Sequence, residues 1–145
     1  MTDNLTKKQR RFCMSKIRSK DTKPEIVLAD ELKKKRVIFK RNFKGLLGTP
    51  DFVFVKQKLI VFCDSEFFHG KNWKKNRMNI RSNREYWIPK IESNIKRDKK
   101  IRTILRNSGW RVIKFWGRDV VKNPANTASK IINNLKESRL EKNES

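Results

Sequence analysis

The chain has 145 residues, and 38 lysines and arginines against 15 aspartates and glutamates give it a formal net charge of +23, which predicts a polyanionic partner. Nine Phe and four Trp exclude a disordered basic tail, because such tails lack the aromatic mass that offsets ordering entropy. Since no apolar run approaches the roughly 20 residues that cross a bilayer and no apolar signal-peptide stretch is present, the sequence predicts one folded, cytoplasmic domain.

The N-terminal segment predicts a basic arm followed by a helix. Residues 1–20 carry seven lysines and arginines and one acid, as a phosphate-binding arm or a solvated chain end would. Thr22 and Glu25 then have the spacing of a capping box, in which side chains satisfy the first free amides of a helix. This helix is predicted to run to about Lys35, with Leu28 on its inward face.

Three short strands and a basic loop are predicted next. The strands comprise residues 37–41, 51–55 and 59–63, because short apolar runs alternate there with glycine-containing or polar turns. Residues 69–84 have no acid and no hydrophobic periodicity, which predicts a basic surface loop.

A long helix is predicted from about Arg84 to Asn107, with Gly109 as its stop. Two polar residues, Asn94 and Asp98, fall on its inward stripe. Either they tie the helix to a neighbouring basic group, or they take a direct part in chemistry.

The remaining residues predict a fourth strand, 110–116, and a final helix that opens at Asn123 and Pro124. Residues 136–145 form a polar tail. The order of helix, three strands, helix, strand and helix predicts an α/β fold in which acids at the edge of a small sheet face bound nucleic acid.

Acidic residues cluster around the second and third strands. Asp51 begins one strand and Asp64 ends the next, so a tight turn that pairs these strands antiparallel would make the two carboxylates neighbours. Clustered carboxylates are unfavourable unless a cation or a proton neutralises them, and hard oxygen ligands favour Mg²⁺ or Mn²⁺. A divalent metal held against a phosphodiester can polarise it and activate water.

Each candidate residue also has an ordinary structural interpretation. Asp51 could shape a turn, Asp64 and Glu66 could be solvated acids, and Glu25 is already explained by its capping role. The single histidine, His69, could be an ordinary imidazole. The convergence of metal-type acids, one titratable base and a cationic surface favours catalysis.

Five segments carry a family resemblance in the same order along the chain: "MSKIRSKDTKPE", "GTPDFVFV", "IVFCDSEFFHG", "REYWIPKIESNIKRDKK" and "SGWRVIKFW", covering residues 14 to about 116. They resemble the very short patch repair (Vsr) DNA mismatch endonucleases, a branch of the restriction-endonuclease-like nucleases. The resemblance implies a small mixed sheet flanked by helices, and a single Vsr-like endonuclease domain over residues 1–145.

The resemblance also implies roles for individual residues. Asp51 is then the central metal ligand, and the backbone carbonyl of Cys63 is a second ligand to Mg²⁺, for which Mn²⁺ could substitute. Asp64 supports the metal site. His69 activates the attacking water, and Glu25 orients water or ligands.

Contacts to double-stranded DNA are implied as well. Phe67, Phe68 and Trp87 are candidates for aromatic side chains inserted between base pairs beside a mismatch. Met14 and Ile17 fall where the N-terminal helix of the family reaches the opposite groove. The basic segment supplies predicted phosphate contacts, namely Lys71, Lys74, Lys75, Arg77, Arg81 and Arg84.

Members of this family often carry a structural zinc site, and this sequence lacks its ligands. The corresponding positions hold Glu66, Lys71, Trp73 and Arg118. One histidine and two cysteines in the whole chain cannot build a site of the usual Cys/His type, so no structural zinc is expected. Whether Glu66 joins the metal site is left open.

The sequence therefore predicts a Mg²⁺-dependent DNA endonuclease that nicks duplex DNA at or near a mismatch, with a monomer favoured. One alternative is a Vsr-like restriction or homing endonuclease that cuts both strands. Another is a non-catalytic nucleic-acid-binding protein, against which Asp51, Asp64 and His69 argue.

Overall fold

The computed structural model describes residues 22–144, with side chains described for residues 22–137. The predicted basic arm, including Met14 and Ile17, lies outside the described residues, as do the side chains of most of the polar tail. None of the described helices is long and apolar enough to span a membrane.

The first described helix, α1, spans Lys23–Lys34 and begins at the predicted cap. The Glu25 carboxylate accepts hydrogen bonds from the Thr22 backbone N–H at 2.8 Å and from the Thr22 hydroxyl at 3.0 Å. Glu25 therefore acts as the capping sequence predicts. Leu28 and Leu32 are fully buried on the inward face.

Four strands form one mixed sheet in the order β1-β2-β3-β4. They span Lys40–Arg41, Phe52–Phe54, Leu59–Asp64 and Arg111–Trp116. The first two pairs are antiparallel, and β3 pairs with β4 in parallel.

The predicted strand at 37–41 is wrong over most of its length. The Val37 N–H bonds the Leu32 carbonyl, and Arg36 has a positive φ of 58°. These residues therefore close the end of α1 rather than pairing in the sheet.

Apolar side chains cover both faces of the central strands. One face packs against α1 and the C-terminal helices through residues that include Phe52, Phe54 and Val61. The opposite face packs through Ile60 and Phe62 against the long helix. Because neighbouring side chains of a strand point to opposite faces, the end of β3 can present groups to both layers.

The long helix, α3, spans Arg84–Asn107, as predicted, and includes Pro89. Gly109 lies just beyond its C-cap, Ser108; φ there is +94°, and the Gly109 amide donates to the Arg106 carbonyl. The predicted basic loop is only partly irregular, because it contains a short helix, α2, at Trp73–Asn76 and a 3₁₀ turn at Arg77–Asn79.

Two C-terminal helices follow β4, where the sequence predicts one. The short helix α4 spans Gly117–Lys122, and α5 spans Pro124–Glu144. The architecture is the predicted α/β fold, a small mixed sheet flanked by helices, of the restriction-endonuclease-like type.

Candidate active site

The antiparallel pairing of β2 and β3 brings the start of one strand beside the end of the other. Phe52 lies opposite Val61, so Asp51 is carried towards the last residues of β3. The Asp51 Oδ2 atom accepts a hydrogen bond from the Cys63 backbone N–H at 2.7 Å. The predicted antiparallel pairing, which brings Asp51 beside the end of β3, is confirmed; Asp51 contacts the Cys63 amide directly and senses the Asp64 carboxylate through its charge.

Helix α1 adds a third acid to this edge of the sheet. Glu25 is only 3% exposed, and its carboxyl is hydrogen-bonded to that of Asp51. Burial, followed by this hydrogen bond, raises the pKa of Asp51 to about 8, and the charges of Glu25 and Asp64 act in the same direction. Without a cation, Asp51 therefore holds a proton at neutral pH.

The backbone at Cys63 is suited to supplying a carbonyl oxygen. Continuing the β2–β3 register places Pro50 opposite Cys63, and proline has no N–H to donate to the ladder. The N–H and C=O of a strand residue point to the same side, so the Cys63 carbonyl faces the edge that Asp51 occupies. Burial raises the pKa of the Cys63 thiol, so its sulfur stays protonated and the oxygen is the metal-type donor.

Asp64 points to the other layer, towards α3. It is 3% exposed, and its Oδ2 lies 2.5 Å from Nη2 of Arg102. This buried carboxylate therefore has a fixed cationic partner, which sequence reasoning did not assign. The guanidinium of Arg102 also stacks on the Phe62 ring, 4.8 Å from its centroid.

His69 lies between Asp64 and a carboxylate that the sequence analysis left undecided. Its Nδ1 atom is 2.5 Å from Oδ2 of Asp98 and 3.9 Å from Oδ1 of Asp64. Ligand atoms of these three residues lie within 4.8 Å of one another, in a group of types that can hold a metal ion. In the sequence, the only sign of a special role for Asp98 was its polar side chain on the inward stripe of α3. In the structure, Asp98 contacts His69 rather than a lysine or an arginine.

Two contacts with α3 fix the loop that carries His69. Asn94 donates to the Phe68 carbonyl at 3.0 Å, which settles the second polar residue of the stripe as an anchor. Gly70 has a φ of +67°, and a Cβ there would meet Ile95 at 2.4 Å. The glycine is therefore required for the close approach of loop and helix.

Four aromatic residues, Phe67, Phe68, Tyr86 and Trp87, form the aromatic cluster beside this loop. Ring centroids are 5.2 Å apart for Phe67 and Trp87, and 4.9 Å apart for Tyr86 and Trp87. Phe67 is 46% exposed and Tyr86 is 50% exposed, whereas Trp87 is 9% exposed. Of the predicted DNA-contacting aromatics, Phe67 is therefore at the surface and Trp87 lies beneath it, while Tyr86 was not predicted.

The predicted phosphate contacts of the basic segment mostly face solvent. Lys71 is partly buried, whereas the exposed members are Lys74, Lys75, Arg77, Arg81 and Arg84. Arg84 also has a structural role, because its Nη1 atom donates to the Ile80 and Arg77 carbonyls at 2.5 and 3.1 Å.

Glu66 and Arg118, which occupy two of the positions that hold zinc ligands in the family, contact each other. The Glu66 carboxylate accepts a hydrogen bond from the Arg118 backbone N–H at 3.1 Å and lies 3.7 Å from its Nε. Glu66 thereby joins the loop after β3 to the start of α4. At the third position, Trp73 donates its indole N–H to Glu92 at 3.4 Å.

The edge of the mixed sheet brings together buried carboxylates and a histidine oriented by an aspartate, and the chain carries a charge of +23. These features are those of a nuclease that hydrolyses phosphodiesters. The sequence matches the family model of the DNA mismatch endonuclease Vsr over residues 2–75. The chain belongs to the Vsr DNA mismatch endonuclease family and is a DNA endonuclease.

Relatives of this chain carry names of two kinds. It is 45% identical to "Type II nicking enzyme V.NmeDIP" of Neisseria meningitidis serogroup C, over 89% of this chain and 87% of that protein. It is 44% identical to "Type II nicking enzyme V.HpaIIP" of Haemophilus parainfluenzae, over 84% and 87% of the two chains. The "DNA mismatch endonuclease Vsr" of Escherichia coli strain K12 is 30% identical over 80% of this chain and 74% of that protein.

Proposed function

We propose that this protein is a Mg²⁺-dependent endonuclease that nicks one strand of duplex DNA at or near a mismatch. The observation that carries the proposal is the carboxylate group at the sheet edge, where Asp51 accepts a hydrogen bond from the Cys63 amide and where burial, together with Glu25 and Asp64, raises its pKa to about 8. The names of the relatives, nicking enzymes and a mismatch endonuclease, support the single-strand cut and the mismatch.

The donor set at this edge fits a hard divalent cation. Asp51 and the Cys63 carbonyl supply oxygen, the ligand type that Mg²⁺ prefers, and Asp64 is the supporting carboxylate. A cation bound there would neutralise the Asp51 carboxylate and so favour its ionised form. Bound Mg²⁺ supplies Lewis-acid polarisation of the scissile phosphate and lowers the pKa of a coordinated water.

In this proposal His69 removes a proton from the attacking water. In the tautomer with a proton on Nδ1, His69 donates a hydrogen bond to Asp98 across the 2.5 Å contact, which leaves the Nε2 lone pair as the base. Asp98 also stabilises the imidazolium that forms when Nε2 is protonated. Glu25, itself held by Thr22, is hydrogen-bonded to the protonated form of Asp51 and so orients the central carboxyl before a cation binds.

The direct test is single-turnover cleavage of duplexes labelled on each strand, with Mg²⁺ present. Matched duplexes are compared with a panel of mismatched ones that includes T·G. Asp51→Asn should abolish nicking while binding stays nearly intact, since affinity comes mainly from lysine and arginine contacts to phosphate. His69→Ala should slow the chemical step by about 10²-fold to 10⁴-fold.

Other outcomes have defined meanings. Full activity of Asp51→Asn would remove the metal-site assignment. Cutting of both strands of fully paired DNA would establish the restriction or homing alternative, and binding without cleavage by the wild type would establish the non-catalytic one.

A further inference from the structure

A pocket of about 320 Å³ lies beside His69, between α3 and β4. One turn after another of α3 contributes to its wall, through residues spaced three or four apart, and β4 closes the other side. His69 and Asp98 are among its lining residues, so the pocket adjoins the proposed reactive centre. Asp51 is not among its lining residues.

Four cations line this pocket and are called the cation group: Lys99, Arg102, Arg106 and Lys114. Asp98 is the acid among the lining residues, and its carboxylate is already bound to His69. Lys99, Arg106 and Lys114 are exposed, so an anion in solution can reach them.

Arg102 is the fixed member of the cation group. Its side chain is 13% exposed, and it is held by Asp64 on one side and the Phe62 ring on the other. A guanidinium fixed in this way presents its donors without a further decrease in side-chain entropy on binding. Burial lowers the pKa of the neighbouring Lys114, and the charges of Asp64 and Arg102 act on it in opposite directions, so a bound anion would stabilise the charged form of this lysine.

We propose that this pocket binds a backbone phosphate of DNA next to the scissile one, with Arg102 as its fixed ligand and Lys99, Arg106 and Lys114 as charge partners. The assignment rests on the proposed function, because it uses His69 to place the scissile group at the adjoining centre. The phosphate in the pocket sets the position of the cleaved strand against His69, in the way that phosphate contacts fix register on a duplex.

The experiment measures binding without divalent metal, in chelator, so that cleavage plays no part. Mismatched duplexes carry one neutral methylphosphonate, moved stepwise through the backbone around the mismatch. The pocket variant is Lys99→Ala with Arg106→Ala; both residues are exposed, so their truncation should leave the fold intact. The matched control is Lys100→Ala, an exposed cation on the same helix that does not line the pocket.

At one backbone position, the methylphosphonate should weaken wild-type binding by on the order of tenfold and have little further effect on the pocket variant. Lys100→Ala should respond to that methylphosphonate as the wild type does. The pocket variant should also lower the slope of log affinity against log salt by about 0.9 for each phosphate that it no longer neutralises.

Two results would overturn the assignment. One is a methylphosphonate effect of the same size in the wild type and the pocket variant at every position. The other combines two observations: no methylphosphonate position shows coupling, and inorganic phosphate at constant ionic strength competes with DNA only when Lys99 and Arg106 are present. The pocket would then bind free phosphate rather than a phosphate of DNA. Coupling in a protein that fails to nick with Mg²⁺ would instead refute the proposed function and leave the pocket assigned.

Discussion

Asp51 holds a proton at neutral pH in the metal-free protein, because burial and the hydrogen bond with Glu25 raise its pKa to about 8. In the unfolded chain the same carboxyl releases its proton near its ordinary value of 3.8. Between these two pH values the folded state binds more protons, so the free energy of unfolding falls as pH rises through this interval.

Asp51→Asn should remove that part of the pH dependence, since the amide is neutral throughout. In chelator, the free energy of unfolding of the variant should rise relative to that of the wild type between pH 4 and pH 8, by up to about 1.4 kcal/mol per pH unit. Urea unfolding at pH 4, 6 and 8 measures this, with Asp30→Asn as a control for an exposed acid. Equal pH profiles for wild type and Asp51→Asn would show that Asp51 ionises normally.

The pairing of His69 with Asp98 makes a second prediction at the scale of residues. Asp98→Asn should slow single-turnover nicking by about 10-fold to 100-fold, the usual effect of removing the partner that orients a functional histidine. DNA binding should be unchanged or stronger, because Asp98 is the acid that lines the cationic pocket. Wild-type nicking by this variant would reduce Asp98 to a structural role.

Among the secondary-structure elements, the loop after β3 is fastened to the start of α4 by Glu66. The stronger of its two interactions is the hydrogen bond from the Arg118 backbone N–H to the Glu66 carboxylate, whose side chain is 18% exposed. The weaker one is the ion pair between Glu66 and the Arg118 side chain, which is 91% exposed. A charge-assisted hydrogen bond is worth about 1.5–3 kcal/mol and an exposed ion pair under about 1 kcal/mol.

Glu66→Ala should therefore destabilise the protein more than Arg118→Ala, which leaves the backbone N–H in place. Urea unfolding gives both free energies. The same preparations should contain no stoichiometric zinc and keep their unfolding midpoint in chelator. One zinc per chain by elemental analysis, or equal effects of the two substitutions, would contradict this account of the loop.

For the molecule as a whole, we propose that the +23 charge provides general affinity for DNA and that the aromatic cluster recognises the mismatch. The charge supplies binding that is independent of sequence and sensitive to salt. Insertion of a ring requires a base step to unstack, at a cost of a few kcal/mol that is smallest where pairing is already weak. The exposed ring of Phe67 is the member of the cluster best placed for insertion.

Phe67→Ala should lower nicking of mismatched duplexes far more than it lowers nonspecific binding. The measurement is single-turnover nicking and binding on matched and mismatched duplexes at two salt concentrations. Ile38→Ala, which removes an apolar side chain that is 83% exposed, is the control. Trp87→Ala is a poorer probe, because truncating a buried Trp costs about 3–5 kcal/mol of stability. Equal decreases on both kinds of duplex would assign Phe67 to packing alone.

Features that depend on near neighbours along the chain could be predicted from the amino-acid sequence. The cap at Thr22 and Glu25, the extent of α3 and its stop at Gly109 follow from residues three or four positions apart. The pairing of β2 with β3 follows from their short connection, and so does the meeting of Asp51 with the end of β3. Local patterns specify these features because the interactions that stabilise them close within one turn of helix or one hairpin.

The partners of the functional side chains depend instead on tertiary packing. Asp98 and His69 are 29 positions apart, Arg102 and Asp64 are 38 apart, and the residues of the Glu66 contact are 52 apart. The short length of β1 and the extra helix α4 were likewise beyond local patterns. These features depend on how α3 and the C-terminal helices pack across the sheet. Packing brings together side chains that are far apart along the chain, and no local pattern in the sequence predicts such contacts.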